Sequence, residues 1–187
     1  MRRQIWPATR MILVMTALTG LFYPLTITGI AQGIFNEAAN GSLIEHGGEV
    51  VGSRLLSQPF AGEEYFQPRP SAADYDPRSS SGSNLGPTNP ELLEKIEARA
   101  DHYRTINGLS SNQPVPVDAV TASASGLDPD ISVMNARLQA PRVAEARGLN
   151  VGLVMELIDE MAQDGGLLGP ARVNVLEINI ALEEARP

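Results

Sequence analysis

MILVMTALTGLFYPLTITGIAQGIF, residues 11–35, is a run of twenty-five residues without a charge. Arg2, Arg3 and Arg10 precede it, and the first acidic residue is Glu37. At 1.5 Å per residue, a helix of this length extends about 37 Å, against a hydrocarbon core of about 30 Å. The run therefore predicts a transmembrane helix over 11–35 that crosses with some tilt. Arginines before the span and none close behind it put residues 1–10 in the cytoplasm. Residues 36–187 then form a single extracytoplasmic soluble domain. A cleaved signal peptide is the competing reading. It has an apolar core of about 7–15 residues followed by a small-x-small site. Gly29-Ile30-Ala31 has that form, but the apolar run before it is too long and continues through Ile34 and Phe35. Lipidation at a lipoprotein cysteine is excluded, because the chain has no cysteine.

Two details of the span bear on partners. Pro24 lacks a backbone N–H, which predicts a kink that neighbouring helices would cover. Thr16, Gly20 and Gly29 are among the small or hydroxylated positions that suit close helix–helix contact, and with Pro24 they are the expected docking positions. Trp6 lies where an interfacial aromatic belongs.

Charge is divided unevenly. Residues 1–10 carry three arginines and no acid, whereas residues 37–187 carry 22 acidic and 11 basic residues, a net charge of −11. A domain this acidic does not suit nucleic acid. Without cysteine there is no disulfide, thiol nucleophile or thiolate metal site. His46 and His102 are too few for a histidine metal centre unless carboxylates complete it.

Along the outer part, Val50–Leu56 predicts a short strand. Pro59–Pro90, with six prolines and the run Ser79–Asn84, predicts a long irregular segment. Its aromatics, Phe60, Tyr65, Phe66 and Tyr75, argue that this segment is ordered. Asn89 and Pro90 are a cap and a first position for a helix that ends at Asn107-Gly108. Val117–Ala122 predicts a strand. Ser123–Asp130 predicts a polar turn into a helix beginning at Ile131 or Ser132, which Pro141 bends or divides. Asn150 caps a further helix over Val151–Ala162. The β-branched segment Ala171–Leu182 predicts a strand that turns helical at its end. The fold class expected is α+β: one N-terminal transmembrane helix, then an α/β-type domain with a long ordered loop.

Three motifs are candidates for chemistry. Gly82-Ser83-Asn84-Leu85-Gly86-Pro87 precedes a helix, where backbone N–H groups can cradle an anion. No Gly-Lys-Ser/Thr is present, so the loop reads as a structured turn or docking loop rather than a nucleotide site. Ser123 and Ser125, with Gly126 and Asp128, would need an imidazole to form a hydrolase. The better reading is that they cap the following helix. Asp118, Asp128 and Asp130 lack calcium-loop spacing. No catalytic and no metal-binding residue is assigned.

The motifs occur in a familiar order. The order is Tyr65-Phe66-Gln67-Pro68-Arg69-Pro70-Ser71-Ala72, Ser81–Pro87, Pro116–Ser132, Arg142-Val143-Ala144 and Arg172-Val173-Asn174-Val175-Leu176. Behind one amino-terminal anchor, this series closely resembles the C subunit of the Kdp-type potassium-transporting P-type ATPase. The resemblance implies a bacterial inner-membrane complex for potassium uptake. Its other members are a potassium-binding channel-like subunit, an ATP-hydrolysing subunit and a very small stabilising subunit. It implies a non-catalytic accessory subunit needed for assembly, described as a catalytic chaperone that raises nucleotide affinity of the catalytic subunit. No cofactor is expected to be firmly bound, with ATP and potassium acting at the level of the complex. A membrane-anchored extracytoplasmic hydrolase using Ser125, or a ligand-binding module, is the alternative.

Overall fold

A computed structural model describes residues 2–166 and 169–185. Met1, at the start of the expected cytoplasmic segment, lies outside the described residues, as do Arg186 and Pro187 at the end of the expected outer domain. The chain forms two units, Met1–Leu43 and Ile44–Pro187.

The first unit is helical. Helix α1 (Arg2–Met15) passes into a π-helical stretch, Thr16–Phe22, and then into α2 (Tyr23–Ile34). A helix long and apolar enough to cross a membrane covers Arg3–Ile34, and none of it is buried. Helix thus begins well before residue 11, because nothing in Arg2–Arg10 stops it. Pro7 lies inside α1. The expected kink at Pro24 takes the form of the π stretch. A proline ring clashes with the carbonyl four residues back, and a wider turn moves that carbonyl away. The N–H of Tyr23 accordingly donates five residues back, to Leu18 O. A short helix, α3 (Asn36–Ala39), follows.

Strands β1 (Leu43–His46) and β2 (Glu49–Ser53) pair as a two-residue hairpin. Gly47 and Gly48 both take positive φ, +63° and +85°, the requirement of the tight turn that matches strand twist. The strand expected over Val50–Leu56 ends at Ser53, whose hydroxyl accepts from Leu55 N at 3.1 Å and turns the chain. From there to Asn89 regular structure is confined to one 3₁₀ turn, Pro77–Ser79.

Helix α4 (Pro90–Ile106) begins as expected, with Asn89 Oδ1 accepting from Glu91 N at 2.9 Å. The strand expected over Val117–Ala122 is instead a one-turn helix, α5 (Val117–Val120). Asp118 in that turn accepts from Ser132 N and Oγ at 2.8 and 3.0 Å, an interaction from 14 residues away that local propensity does not register. Strand β3 (Asp130–Ser132) pairs antiparallel with β4 (Arg172–Asn174), setting Ile131 opposite Val173. Helix α6 (Val133–Arg147) therefore starts one or two residues later than expected, capped by Ser132. Pro141 does not divide it, and the helix runs on from Val133 to Arg147. The proline is exposed, and so is Arg137, whose carbonyl the proline cannot bond. Ala140, just before it, and Val143, two residues after it, are fully buried.

Helix α7 (Val151–Met161) starts at Asn150, which accepts from Gly152 N at 2.7 Å. Of the strand expected over Ala171–Leu182, only β4 is extended. Asn174 then caps α8 (Val175–Glu184) by accepting from Glu177 N at 3.2 Å. An Asn followed three residues later by Glu is a helix-start signal that outweighs β-branched content. Ile131, Val143, Val154, Ile158, Val173, Ile178 and Leu182 form the core with Phe66, which comes from the irregular segment and is fully buried. Among the described residues the fold is mixed helix and sheet, with two small two-stranded sheets.

Candidate functional site

The motif segments that lie apart in sequence meet around residues 63–82. An irregular backbone cannot pair with itself, so its buried N–H and C=O groups need other partners. Here side chains of α6 and α8 supply them. Asn179 on α8 accepts from Phe66 N at 2.8 Å and donates to Phe66 O at 3.0 Å. One residue on, Gln139 of α6 accepts from Gln67 N at 2.8 Å and donates to Gln67 O at 3.1 Å. Each amide takes the place of a neighbouring strand.

Arg142 donates to Glu63 O, and to Tyr65 O at 3.1 Å. It also holds Asn107 Oδ1 at 3.0 Å and Gln139 Oε1 at 2.9 Å. Burial pulls its guanidinium below the usual arginine value, partly opposed by Tyr103, Glu63 and Glu64. Arg147 donates to Glu64 O at 2.6 Å, with its guanidinium 5.1 Å from the Tyr65 ring. Tyr103 donates to Asn135 Oδ1 at 2.8 Å, and burial pushes its phenol well above the usual range.

Further along, Arg69 pairs with Asp128 at 2.7 Å. The Ser71 hydroxyl donates to Gly126 O at 2.7 Å and accepts from Ala73 N and Tyr75 N at 3.0 Å each. Ser81 N and Ser80 Oγ both donate to Ser125 O at 3.0 Å. Gly126, at φ +69°, allows this approach: a Cβ there would lie 2.8 Å from Ser81 O and 2.9 Å from Ala73 Cβ. A Cβ on Gly82 would lie 3.1 Å from Ala124 O.

The expected site residues therefore separate into two groups. Gly82 and the turn Ser123, Ser125, Gly126 and Asp128 come together. Ser83, Asn84, Gly86 and Pro87 are exposed and Leu85 is half-buried. The capping role expected of the turn is corrected. Ser125 Oγ accepts from Leu127 N at 3.1 Å and Asp128 Oδ1 from Asp130 N at 3.2 Å, so neither reaches an N–H of α6, which Ser132 caps. The Ser123 and Ser125 hydroxyls lie 3.4 Å apart. His46 is elsewhere, 3.6 and 3.7 Å from Glu183 and Glu184. Among the described residues no group of acidic or histidine side chains is arranged to hold a metal ion. In the first unit, Thr16 and Gly20 lie in the π stretch and Pro24 and Gly29 in α2, all exposed.

Asn135, Gln139, Arg142 and Asn179 were not among the candidates. The sequence does hold a signal for three of them. Asn135, Gln139 and Arg142 follow at i, i+4 and i+7, beside Ala136, Ala140 and Val143. Polar residues set into a helix's apolar face are buried amides waiting for a partner.

Beside the clamp lies a cavity of about 220 Å³, lined by Gln67, Pro68, Tyr75, Arg99, His102 and Tyr103, among others. Arg172 and Asp130 pair at 2.9 Å across β4 and β3, yet burial, its largest influence, raises the Asp130 carboxyl above its ordinary value.

The motif order and the network it builds agree with comparisons of the whole chain. The profile of the family described as "KdpC: K+-transporting ATPase, c chain" matches residues 5–184. A protein of Mycobacterium tuberculosis (strain ATCC 25618 / H37Rv) named "Potassium-transporting ATPase KdpC subunit" is 52% identical over 187 residues, covering 98% of this chain and 99% of its own. A protein of the same name in Rhodospirillum rubrum is 50% identical over 191 residues, covering 100% and 98%. One in Beijerinckia indica is 49% identical over 191 residues, covering 100% and 96%. The chain belongs to the KdpC family, the c chains of K+-transporting ATPases.

Proposed function

We propose that this protein is a non-catalytic accessory subunit of a bacterial inner-membrane complex that takes up potassium at the expense of ATP. Its partners are the potassium-binding channel-like subunit, the ATP-hydrolysing P-type subunit and the small stabilising subunit. The helix Arg3–Ile34 crosses the bilayer with its N-terminus in the cytoplasm. Thr16, Gly20, Pro24 and Gly29 dock on partner helices. The remainder lies outside, beside the pore entrance. The observation that carries this reading is the division of charge across the apolar helix, arginine on one side and an excess of 11 acids on the other. The placement follows from the tendency of basic residues to stay cytoplasmic. An acidic surface beside a pore raises local cation concentration, an effect that salt weakens.

ATP and potassium act at the level of the complex, with no cofactor firmly held by this subunit. An increase in ATP affinity of the catalytic subunit would pass through the membrane helices as coupling between distant sites. Membrane purification through a tag on Pro187 tests the assignment. Co-purification of a potassium-dependent ATPase is expected, with the tag open to protease only from outside. A tag cleaved only from the cytoplasmic side would reverse the topology. Neutralising several outer acids should raise the potassium level for half-maximal uptake at low ionic strength, and an unchanged level rejects the electrostatic role.

A further inference from the structure

The first ten residues contain an arrangement that the docking helix does not require. In α1, Arg3 and Arg10 are seven positions apart. That separation is about 20° around the helix and about 10 Å along it, so both leave the same side. Trp6 lies between them on the neighbouring strip. The Arg10 guanidinium turns back over Trp6, 4.9 Å from the ring centroid. Long helical side chains lean toward the N-terminus, which makes this contact the natural one. The stack draws the Arg10 charge down to the level of residue 6 and toward Arg3. Both arginines and Trp6 are exposed. The first carboxylate in the chain, Glu37, lies beyond the far end of α2.

Pro7 fixes the depth of this level. It cannot donate to the Arg3 carbonyl, and a freed carbonyl cannot remain in hydrocarbon without a partner. The turn from Arg3 to Pro7 therefore belongs at the polar boundary, where phosphates lie. Guanidiniums leaving one side of the helix near this level can each donate N–H groups to anionic oxygens, and an indole suits the acyl–headgroup boundary.

We propose that Arg3, Trp6 and Arg10 form a seat for the phosphate of an anionic phospholipid on the cytoplasmic leaflet. The seat rests on the reading that α1 and α2 span the bilayer, and one experiment separates the two. Trp6 is the only tryptophan in the chain, so its fluorescence reports this site alone. The full chain is reconstituted in phosphatidylcholine vesicles carrying a minor fraction of brominated phosphatidylglycerol or, in parallel, brominated phosphatidylcholine. Trp6 is expected to be quenched by both and more strongly by phosphatidylglycerol. Each basic residue at such a surface favours anionic lipid about fivefold. R3Q and R10Q should each shrink the excess by about that factor, and the double variant should abolish it. Equal quenching by the two lipids overturns the seat while leaving the membrane span in place. An excess that survives R3Q and R10Q overturns it as well. Relief of the excess by added inorganic phosphate would transfer the site to a soluble anion and overturn the lipid assignment. Absence of quenching by either lipid overturns the span, and the seat with it.

Discussion

The helix of residues 2–34 and the segment of residues 54–89 solve the same problem in opposite ways. Both are long, and both must satisfy their backbone. The helix satisfies itself: even at Pro24 a wider turn keeps the ladder running, and none of the apolar stretch is buried. Its threonines bond to their own chain, Thr19 to Met15 O and Thr26 to Phe22 O, both at 2.7 Å. Its large apolar side chains, such as Leu13, Leu18, Phe22 and Leu25, are exposed. The irregular segment satisfies only part of its backbone by itself, as where Ser71 Oγ accepts from Ala73 N and Tyr75 N, and around Phe66 and Gln67 it depends on other elements. Its partners are borrowed from α6 and α8, and in exchange it delivers Phe66 to the core. A self-sufficient backbone leaves its faces free for lipid or other helices, whereas a dependent one is tied to a single place on its own domain.

The contrast can be broken most severely at Phe66. Phe66→Ala should remove about 3–5 kcal/mol from unfolding of the second unit, read by denaturant titration. A loss below about 1 kcal/mol would mean the segment does not depend on that anchor. Next is Asn179→Ala, which leaves the Phe66 N–H and C=O buried and unpaired. About 2–4 kcal/mol is expected, and hydrogen exchange at Phe66 and Gln67 should rise with it. Pro24→Ala sharpens the other half of the comparison. Ordinary four-residue bonding should return across Thr16–Phe22, visible in backbone carbonyl shifts, while stability of the second unit stays within about 0.5 kcal/mol. A π stretch that persists without the proline would remove the cause assigned to it.

The smallest effect expected is at Asp130. Burial raises its folded-state pKa, so the folded chain holds this proton more tightly than the unfolded one. Stability from this group is then present in acid and lost as pH rises through the carboxylate range. Asp130→Asn removes that titration, and Arg172, half exposed, returns to water. A slight gain in melting temperature is expected at about pH 7, vanishing toward about pH 3. A loss of melting temperature at about pH 7 that fades in acid would show the ion pair, not burial, to dominate.

What the sequence made legible was local. The apolar run marked the helix, and Asn89 and Asn150 marked helix starts within a residue, since a cap acts over two or three positions. The irregular segment and its order could be read from prolines and aromatics together. What could not be read were contacts between distant residues. Val117–Val120 looks extended by composition and is helical, because Asp118 is needed by Ser132 and Asn135. Asn174 and Glu177 carried a readable helix start that β-branched neighbours concealed. Half of the candidate site followed the same rule. Gly82 and the Ser123–Asp128 turn were recognised as motifs, but that they touch depends on the path of the segment between them. Gln139 and Asn179 gave no local sign of reaching Gln67 and Phe66, 72 and 113 residues away.

The two amide clamps grip main-chain atoms only. Nothing in the grip inspects the side chain at position 67, so that position is free to drift over generations while Gln139 is not. At position 66 the clamp is equally indifferent, and the ring is held to its identity by the core alone. Substitution patterns among relatives should therefore be lopsided, with permissive clamped positions facing intolerant clamping ones.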